Sequence, residues 1–192
     1  GDQLLEARLT NGKNEIFLAA RNGNAIRFHE KNVRAMGRLA TGVIGITLDD
    51  DNDRTVGMAV VEENEESLTI LAISEKGSGK RSRVADYRFT NRGGKGVKTI
   101  EVTDKTGDLI AIKAVAEDDD LMITTKAGIV IRMPVNDIRV MGRATQGVRV
   151  IRIEGEDEIA DVTVVPKSDD EEEMPSENGM EENGTGDGAS TD

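Results

Sequence analysis

Three glycines, Gly23, Gly77 and Gly128, stand 54 and 51 residues apart and open three copies of one segment. Counted from each, the fourth residue is arginine: Arg27, Arg81, Arg132. The ninth is Asn32, Asp86, Asp137, and the eleventh is again arginine: Arg34, Arg88, Arg139. The fifteenth is a third arginine: Arg38, Arg92, Arg143. A Gly-Val pair follows at nineteen and twenty, and an isoleucine at twenty-three: Ile46, Ile100, Ile151. No gap interrupts these matches. A period of fifty-odd residues is a structural unit that buries its apolar face by stacking on its neighbours.

The apolar runs of each copy are short and rich in Val and Ile, and Gly, Asn and Asp clusters bound them, which predicts strands. One run precedes the anchor glycine, as in Ile16-Phe17-Leu18 and Leu68-Thr69-Ile70-Leu71. A second follows it, as in Ala25-Ile26-Arg27-Phe28 and Ile129-Val130-Ile131-Arg132. The glycine between them supplies the positive φ of a tight hairpin. A third strand is expected after the Gly-Val pair: Val43 to Leu48, Val97 to Val102, Val148 to Ile153. A fourth is expected between repeats, at Val56 to Val61, Leu109 to Ile112 and Ile159 to Val165. Four strands per period predict an all-β, propeller-like array of three four-stranded blades, with repeats near 4–61, 62–115 and 116–165. No Trp-Asp dipeptide marks a WD-type propeller. Closed rings hold ~4–8 blades, so further blades are expected upstream of Gly1.

The formal charge is −12, a sign that argues against a nucleic-acid partner until its distribution is considered. Residues 167–192 carry ten acids and one base, and residues 1–166 carry 27 acids and 24 bases. The tail 167–192 has few apolar side chains and is expected to be disordered. A tethered polyanion of this kind can compete for a basic surface. Within the repeats, Lys76 to Lys98 holds eight basic residues and one acid, and Lys126 to Arg152 holds six and one. The acids gather in the linkers, as in Glu62-Glu63-Asn64-Glu65-Glu66 and Glu117-Asp118-Asp119-Asp120. Equivalent loops on stacked blades form a stripe, and a basic stripe matches the phosphates of duplex DNA. Arginine suits that role because its planar fork pairs with phosphate oxygens. Aromatic residues are few (Phe17, Phe28, Phe89, Tyr87), so a stacking platform for single strands is not expected.

The candidate DNA contacts are Arg38, Arg92 and Arg143, then Arg34, Arg88 and Arg139, with Lys95, Lys80, Arg81, Arg27 and Arg132 in support. Chemistry has little foothold. There is no cysteine and a single histidine, His29, which leaves neither a thiolate or histidine metal cluster nor a nucleophile–base pair. Gly77-Ser78-Gly79-Lys80 lacks the Gly-four-residues-Gly-Lys-Ser/Thr spacing of a phosphate loop. No run reaches ~18 apolar residues, and the N-terminus has no signal-peptide pattern, so no membrane role is expected.

Val33-Arg34-Ala35-Met36-Gly37-Arg38-Leu39-Ala40-Thr41-Gly42-Val43, Ile138-Arg139-Val140-Met141-Gly142-Arg143-Ala144-Thr145-Gln146-Gly147-Val148 and Lys76-Gly77-Ser78-Gly79-Lys80-Arg81 resemble the blade motif in the C-terminal domain of DNA gyrase A subunits. The resemblance spans roughly residues 4–165, and an acidic tail is also similar to the family. It implies a six-bladed β-pinwheel that wraps duplex DNA around its rim and supports ATP-dependent negative supercoiling. It further implies a holoenzyme of two A and two B subunits, cytoplasmic and on the nucleoid, in which the B subunit uses ATP and Mg2+. By the same resemblance this segment is non-catalytic: the tyrosine that attacks DNA belongs to another domain, and Tyr87 has no claim to that role. Asn91-Arg92-Gly93-Gly94-Lys95-Gly96 is similar to the family's Q-R-R-G-G-x-G box and reads as a degenerate copy of it. The alternatives are the corresponding domain of topoisomerase IV and a propeller that binds an acidic protein.

Overall fold

Alternating Val and Ile between glycine turns build eleven strands in the computed structural model, which describes residues 3–167. The tail assigned to 167–192 lies outside the described residues except for Lys167. The first sheet contains β1 (Asn14–Ala20), β2 (Asn24–His29) and β3 (Thr55–Glu62). The second contains β4 (Thr69–Ser74), β5 (Ser78–Arg83) and β7 (Leu109–Val115), and β6 (Val97–Lys98) lies between the last two in the chain. The third contains β8 (Asp120–Thr125), β9 (Val130–Pro134) and β11 (Ile159–Val165), and β10 (Val148–Arg149) precedes β11. All strand pairings are antiparallel. A single 3-10 turn follows the second strand of every repeat, at Glu30–Asn32, Val84–Asp86 and Val135–Asp137.

The strand after each Gly-Val pair does not complete its own blade. The sheet orders are β3-β1-β2-β6, β10-β5-β4-β7 and β11-β8-β9. The second repeat therefore lends β6 to the first blade, with Ala25 opposite Val97 and Asn24 opposite Lys98. The third repeat lends β10 to the second blade, with Gly79 opposite Val148 and Ser78 opposite Arg149. This corrects the expected self-contained repeat. It also corrects the expected strand at 43–48, which is coil; among the described residues no free strand edge pairs with it. Among the described residues the third sheet has three strands.

The inner edge of the array is formed by β3, β7 and β11, which pack on one another in that order. Residues 3–10 run beside this edge as coil: Glu6 accepts a hydrogen bond from the Met58 amide at 3.1 Å and faces the Lys113 ammonium at 3.7 Å. The exchanged strands β6 and β10 occupy the opposite, outer edge. Two apolar layers lie between blades. Phe17, Ala59, Ile70, Tyr87 and Ile112 fill the first, where Phe17 and Tyr87 meet edge to face with centroids 5.3 Å apart. Leu71, Ile73, Ile123, Val135 and Ile159 fill the second. The middle blade is covered on both faces, which is why β4 reads as the continuous run Ile70-Leu71-Ala72-Ile73, all buried. In β8, covered on one face, Leu121 and Ile123 are buried while Met122 between them is exposed.

Candidate nucleic-acid interface

The long loops of the second and third repeats leave the second strand of their own blade and cross to the blade before it, along the outer edge. Polar side chains at matched positions bind the crossing. Arg27 donates from Nη1 to the carbonyls of Val84 at 2.9 Å and Tyr87 at 3.0 Å. Its other face pairs with Glu15 at 2.6 Å, and its guanidinium lies 5.8 Å from the centroid of the Phe17 ring. Arg81 repeats this one blade on, donating to the Ile138 carbonyl at 2.7 Å and pairing with Glu117 at 2.5 Å. Arg132 pairs with Asp120 at 2.7 Å, in the geometry of Arg27 with Glu15.

The arginines at the fifteenth position hold the same crossing from the other side. Arg92 donates to the carbonyls of Asn32 and Ile44, both at 2.9 Å. Arg143 donates to those of Asp86 and Lys98, both at 3.0 Å. Asn32 and Asp86 are equivalent positions in successive repeats, as are Ile44 and Lys98. Each guanidinium thus staples its loop onto the loop of the preceding repeat at two fixed carbonyls. Arg38 is exposed, and the described chain has no earlier repeat to supply its two carbonyls.

Arg34, Arg88 and Arg139, at the eleventh position, are all exposed. Among the described residues, none of their side chains makes a hydrogen bond or ion pair. They point outward because the 3-10 turn before them turns Val84 and Val135 inward, so the chain just beyond it emerges at the surface. Lys95 is exposed and pairs at 3.2 Å with Asp49. Two further bases on this edge escape the sequence pattern. Lys98 and Arg149, exposed at the ends of β6 and β10, share one offset from their anchor glycines. That recurrence was the available signal, masked because the first repeat has Ile44 there.

Arg38, Arg34, Arg88, Arg139 and Lys95 are therefore at the surface, and Arg92 and Arg143 are partly covered by the carbonyls they hold. Lys80 and Arg81, expected as surface contacts, are turned inward and are 0 % and 2 % exposed. The reason is the alternation of β5: Gly79 and Arg81 share a face that the third repeat covers. Lys80 is enclosed by the loop that Arg143 staples, and donates to the Gly142 carbonyl at 2.7 Å and to Ser82 Oγ at 3.0 Å. Two of the loop glycines, Gly96 and Gly147, press against the backbone of the preceding blade. A Cβ on Gly147 would lie 2.6 Å from the Gly79 carbonyl.

Acids hold the hairpin turns. Asp53 accepts from the Asn22 amide at 3.1 Å, and Asp157 from the Ala127 amide at 2.9 Å. Asp108 pairs with Arg21, and Glu158 with Lys126. The linkers at 62–68 and 116–119 leave from the inner strands β3 and β7. Linker acids nonetheless meet bases of the repeats: Glu117 pairs with Arg81 at 2.5 Å and Asp49 with Lys95 at 3.2 Å. Among the described residues, no group of three or more His, Asp or Glu could hold a metal, and no helix is long and apolar enough to cross a membrane.

Burial brings the Lys80 ammonium down to about 8, with Asp86 resisting and Arg143 adding to the shift. Burial pushes the Tyr87 phenol up to about 12, against hydrogen bonds from Thr99 and Ser82. The depressed lysine makes the unfolded chain bind more protons than the folded one between about 8 and 10.5, so folding stability rises with pH through that window. The raised tyrosine acts oppositely above 10, where only the unfolded chain ionises. Between pH 8 and 10 the melting temperature of the native chain is expected to rise relative to that of Lys80→Met, in which the lysine contribution is gone. Parallel melting curves for the two proteins across this range would overturn the assignment.

Three stacked antiparallel blades, strand exchange between repeats and a basic outer edge define a propeller-type repeat domain. The model of the family described as DNA gyrase C-terminal domain, beta-propeller, matches residues 14–62, 69–116 and 119–166, each segment taking in the inner three strands of one blade. The chain belongs to that family. The DNA gyrase A subunit of Staphylococcus aureus (strain MRSA252) is 42% identical over 184 residues, covering 96% of this chain and 20% of the relative. The DNA gyrase A subunit of Ureaplasma parvum serovar 3 is 44% identical over 164 residues, 85% of this chain and 19% of the relative. The chain thus spans about a fifth of the length of these curated relatives. Among solved structures, the C-terminal domain of a DNA topoisomerase IV superposes with a TM-score of 0.75 at 25% identity, covering 82% of this chain and 48% of that one. The E. coli ParC C-terminal domain, with a TM-score of 0.62 at 19% identity over 82% of this chain and 63% of that one, shares the fold.

Proposed function

We propose that the chain binds duplex DNA along its outer edge and bends it around the blades, as the wrapping part of a gyrase A subunit. The observation that carries this is the row Arg34, Arg88 and Arg139. One residue per repeat, at one structural position, is exposed and has no partner among the described residues. Lys95, Lys98 and Arg149 widen the row. Charges repeated at the blade spacing on a rigid edge contact phosphates at successive points along a duplex and carry no base readout. Contacts on successive blades of a curved array favour bent DNA, which reaches more of them than a straight duplex does.

Arg92 and Arg143 serve this edge by fixing each loop to its neighbour. Arg27 and Arg81 do so from within, and Arg132 holds the same position in the last blade. In the assembled enzyme the chain contributes DNA wrapping to ATP-dependent negative supercoiling. The B subunit uses the ATP and Mg2+, while this segment holds no catalytic group. Its place of work is the cytoplasm, on the nucleoid. The direct test is binding of the 192-residue chain to random-sequence duplex over a salt series, with a bending readout on end-labelled DNA. Sequence-independent binding that weakens steeply with salt and brings the DNA ends together is expected. A folded chain that leaves duplex unbound at low salt would overturn the reading.

A further inference from the structure

Arg143 does more than fasten its own loop. Its Nε donates to the Asp86 carbonyl and its Nη1 to that of Lys98, both at 3.0 Å. Residues 86 and 98 are the two ends of the second repeat's loop, and Arg88 and Lys95 stand between them. One planar guanidinium from the third repeat thus ties the mouth of the loop that carries the second repeat's exposed bases. Arg92, inside that loop, ties the mouth of the first repeat's loop in the same way, between residues 32 and 44, with both bonds at 2.9 Å. The dependence runs one way along the chain: each of these loops is closed by the repeat that follows it.

The seat that aims Arg143 is itself held by polar groups. The Arg81 amide donates to the Arg139 carbonyl at 3.1 Å, and the Met141 amide to the Arg81 carbonyl at 2.9 Å. Beside them Ser82 Oγ donates to the Met141 carbonyl at 3.0 Å and the Lys80 ammonium to that of Gly142 at 2.7 Å. Both side chains are buried, where a polar group costs free energy unless it is bonded. The matched positions of the first blade are Ile26 and Phe28, so this polar seat distinguishes the middle blade. In the interior the hydroxyls of Tyr87 and Thr99 hydrogen-bond to each other, each one residue beyond a carbonyl that Arg143 holds.

We propose that Arg143 is a positioning residue: by tying residues 86 and 98 it holds Arg88 and Lys95 where they meet phosphates, so that the DNA contacts of one repeat are set by the next. The proposal rests on the DNA-binding reading above. A charge held in place before binding gives more of its contact energy, because the entropy of ordering the loop no longer opposes it. Arg88 and Arg143 are then coupled rather than additive, although they belong to different repeats. Arg34 lies in the first repeat's loop, whose mouth Arg92 ties, and is independent of Arg143.

The test uses the 192-residue chain and Arg143→Lys, which keeps the charge but replaces the planar fork by a single ammonium that does not span two carbonyls. The substitution leaves β6 and the Tyr87–Thr99 contact in place, so circular dichroism should match the parent. In the free chain, hydrogen exchange over residues 87–97 is expected to quicken about tenfold, while residues 33–43 exchange as in the parent. In duplex binding over a salt series, Arg88→Ala is expected to flatten the log–log slope by about 0.9 in the parent and by less than half of that in the Arg143→Lys background. Arg34→Ala should flatten it equally in both backgrounds. Unchanged exchange over 87–97 would overturn the proposal. So would an equal quickening over 33–43, or a full loss from Arg88→Ala in the Arg143→Lys background. A parent chain that leaves duplex unbound would overturn the DNA-binding reading and the positioning role with it; exchange in the free chain, which needs no DNA, tells that failure from a loop that Arg143 does not tie.

Discussion

Replacing Gly77 with alanine is expected to destabilise the chain by about 3 kcal/mol or more, whereas the same change at Gly128 costs only about 1–2 kcal/mol. Both glycines have left-handed backbones, φ +83° and +87°, so both substitutions carry the penalty of placing an L side chain there. The difference lies in the surroundings. A methyl group on Gly77 would sit 2.6 Å from the Ile151 carbonyl and 3.0 Å from the Ile151 side chain, while one on Gly128 meets nothing within 4 Å. Relief at Gly77 requires the third repeat to move away. That stretches the Val150 amide bond to the Gly77 carbonyl, 2.9 Å long, and opens the buried layer that contains Ile151 and Ile159. One lost hydrogen bond is worth ~1 kcal/mol, and a loosened apolar layer adds to it. Urea unfolding of the two variants beside the parent is the measurement. Equal losses at Gly77 and Gly128 would show that the conformational term alone matters and that the close approach of repeats does not.

Removing Arg88 and Arg139 together is expected to flatten the dependence of log K on log salt for duplex binding by about 1.8, since each phosphate contact contributes ~0.9. Affinity at low salt falls accordingly, with folding unchanged because neither side chain has a partner among the described residues. Arg92→Ala is expected to behave differently. Its two bonds, to Asn32 and Ile44, hold the second repeat's loop on the first blade, so a lowered midpoint of unfolding should accompany any loss of binding. Binding isotherms over a wide range of salt, taken beside urea curves, separate these effects. A double variant with the parent's salt slope would remove Arg88 and Arg139 from the DNA contacts.

The contrast between Arg88 and Arg92 shows where the sequence stops being readable. Both recur in all three copies, both are arginine, and both lie in a basic loop. Recurrence marks a position as structurally equivalent without saying whether it faces solvent or a neighbouring carbonyl. The sequence pattern ranks Arg38, Arg92 and Arg143 first, and the structure has Arg92 and Arg143 on the backbone of the preceding repeat. Lys80 and Arg81 follow the same logic. They belong to a basic cluster in the sequence, yet alternation along β5 and coverage by the third repeat enclose them. Their partners, Gly142 and Ile138, lie 62 and 57 residues away, beyond the reach of any local pattern.

What the sequence alone determined is everything with a short range: the period, the hairpin glycines, the Val- and Ile-rich strands and the sorting of bases from acids. These follow from backbone dihedral preferences and from the need to bury apolar faces every few residues. Only the tertiary structure decided that the strand after each Gly-Val pair joins the blade before it. A two-residue strand such as Val97-Lys98 carries no signal of which edge it will choose. The choice rests on an unpaired edge presented by another repeat, and on the absence of a side chain at Gly23 and Gly96 where two backbones meet. The same exchange set the roles of the arginines, because it brought some of them against carbonyls and left Arg34, Arg88 and Arg139 facing water.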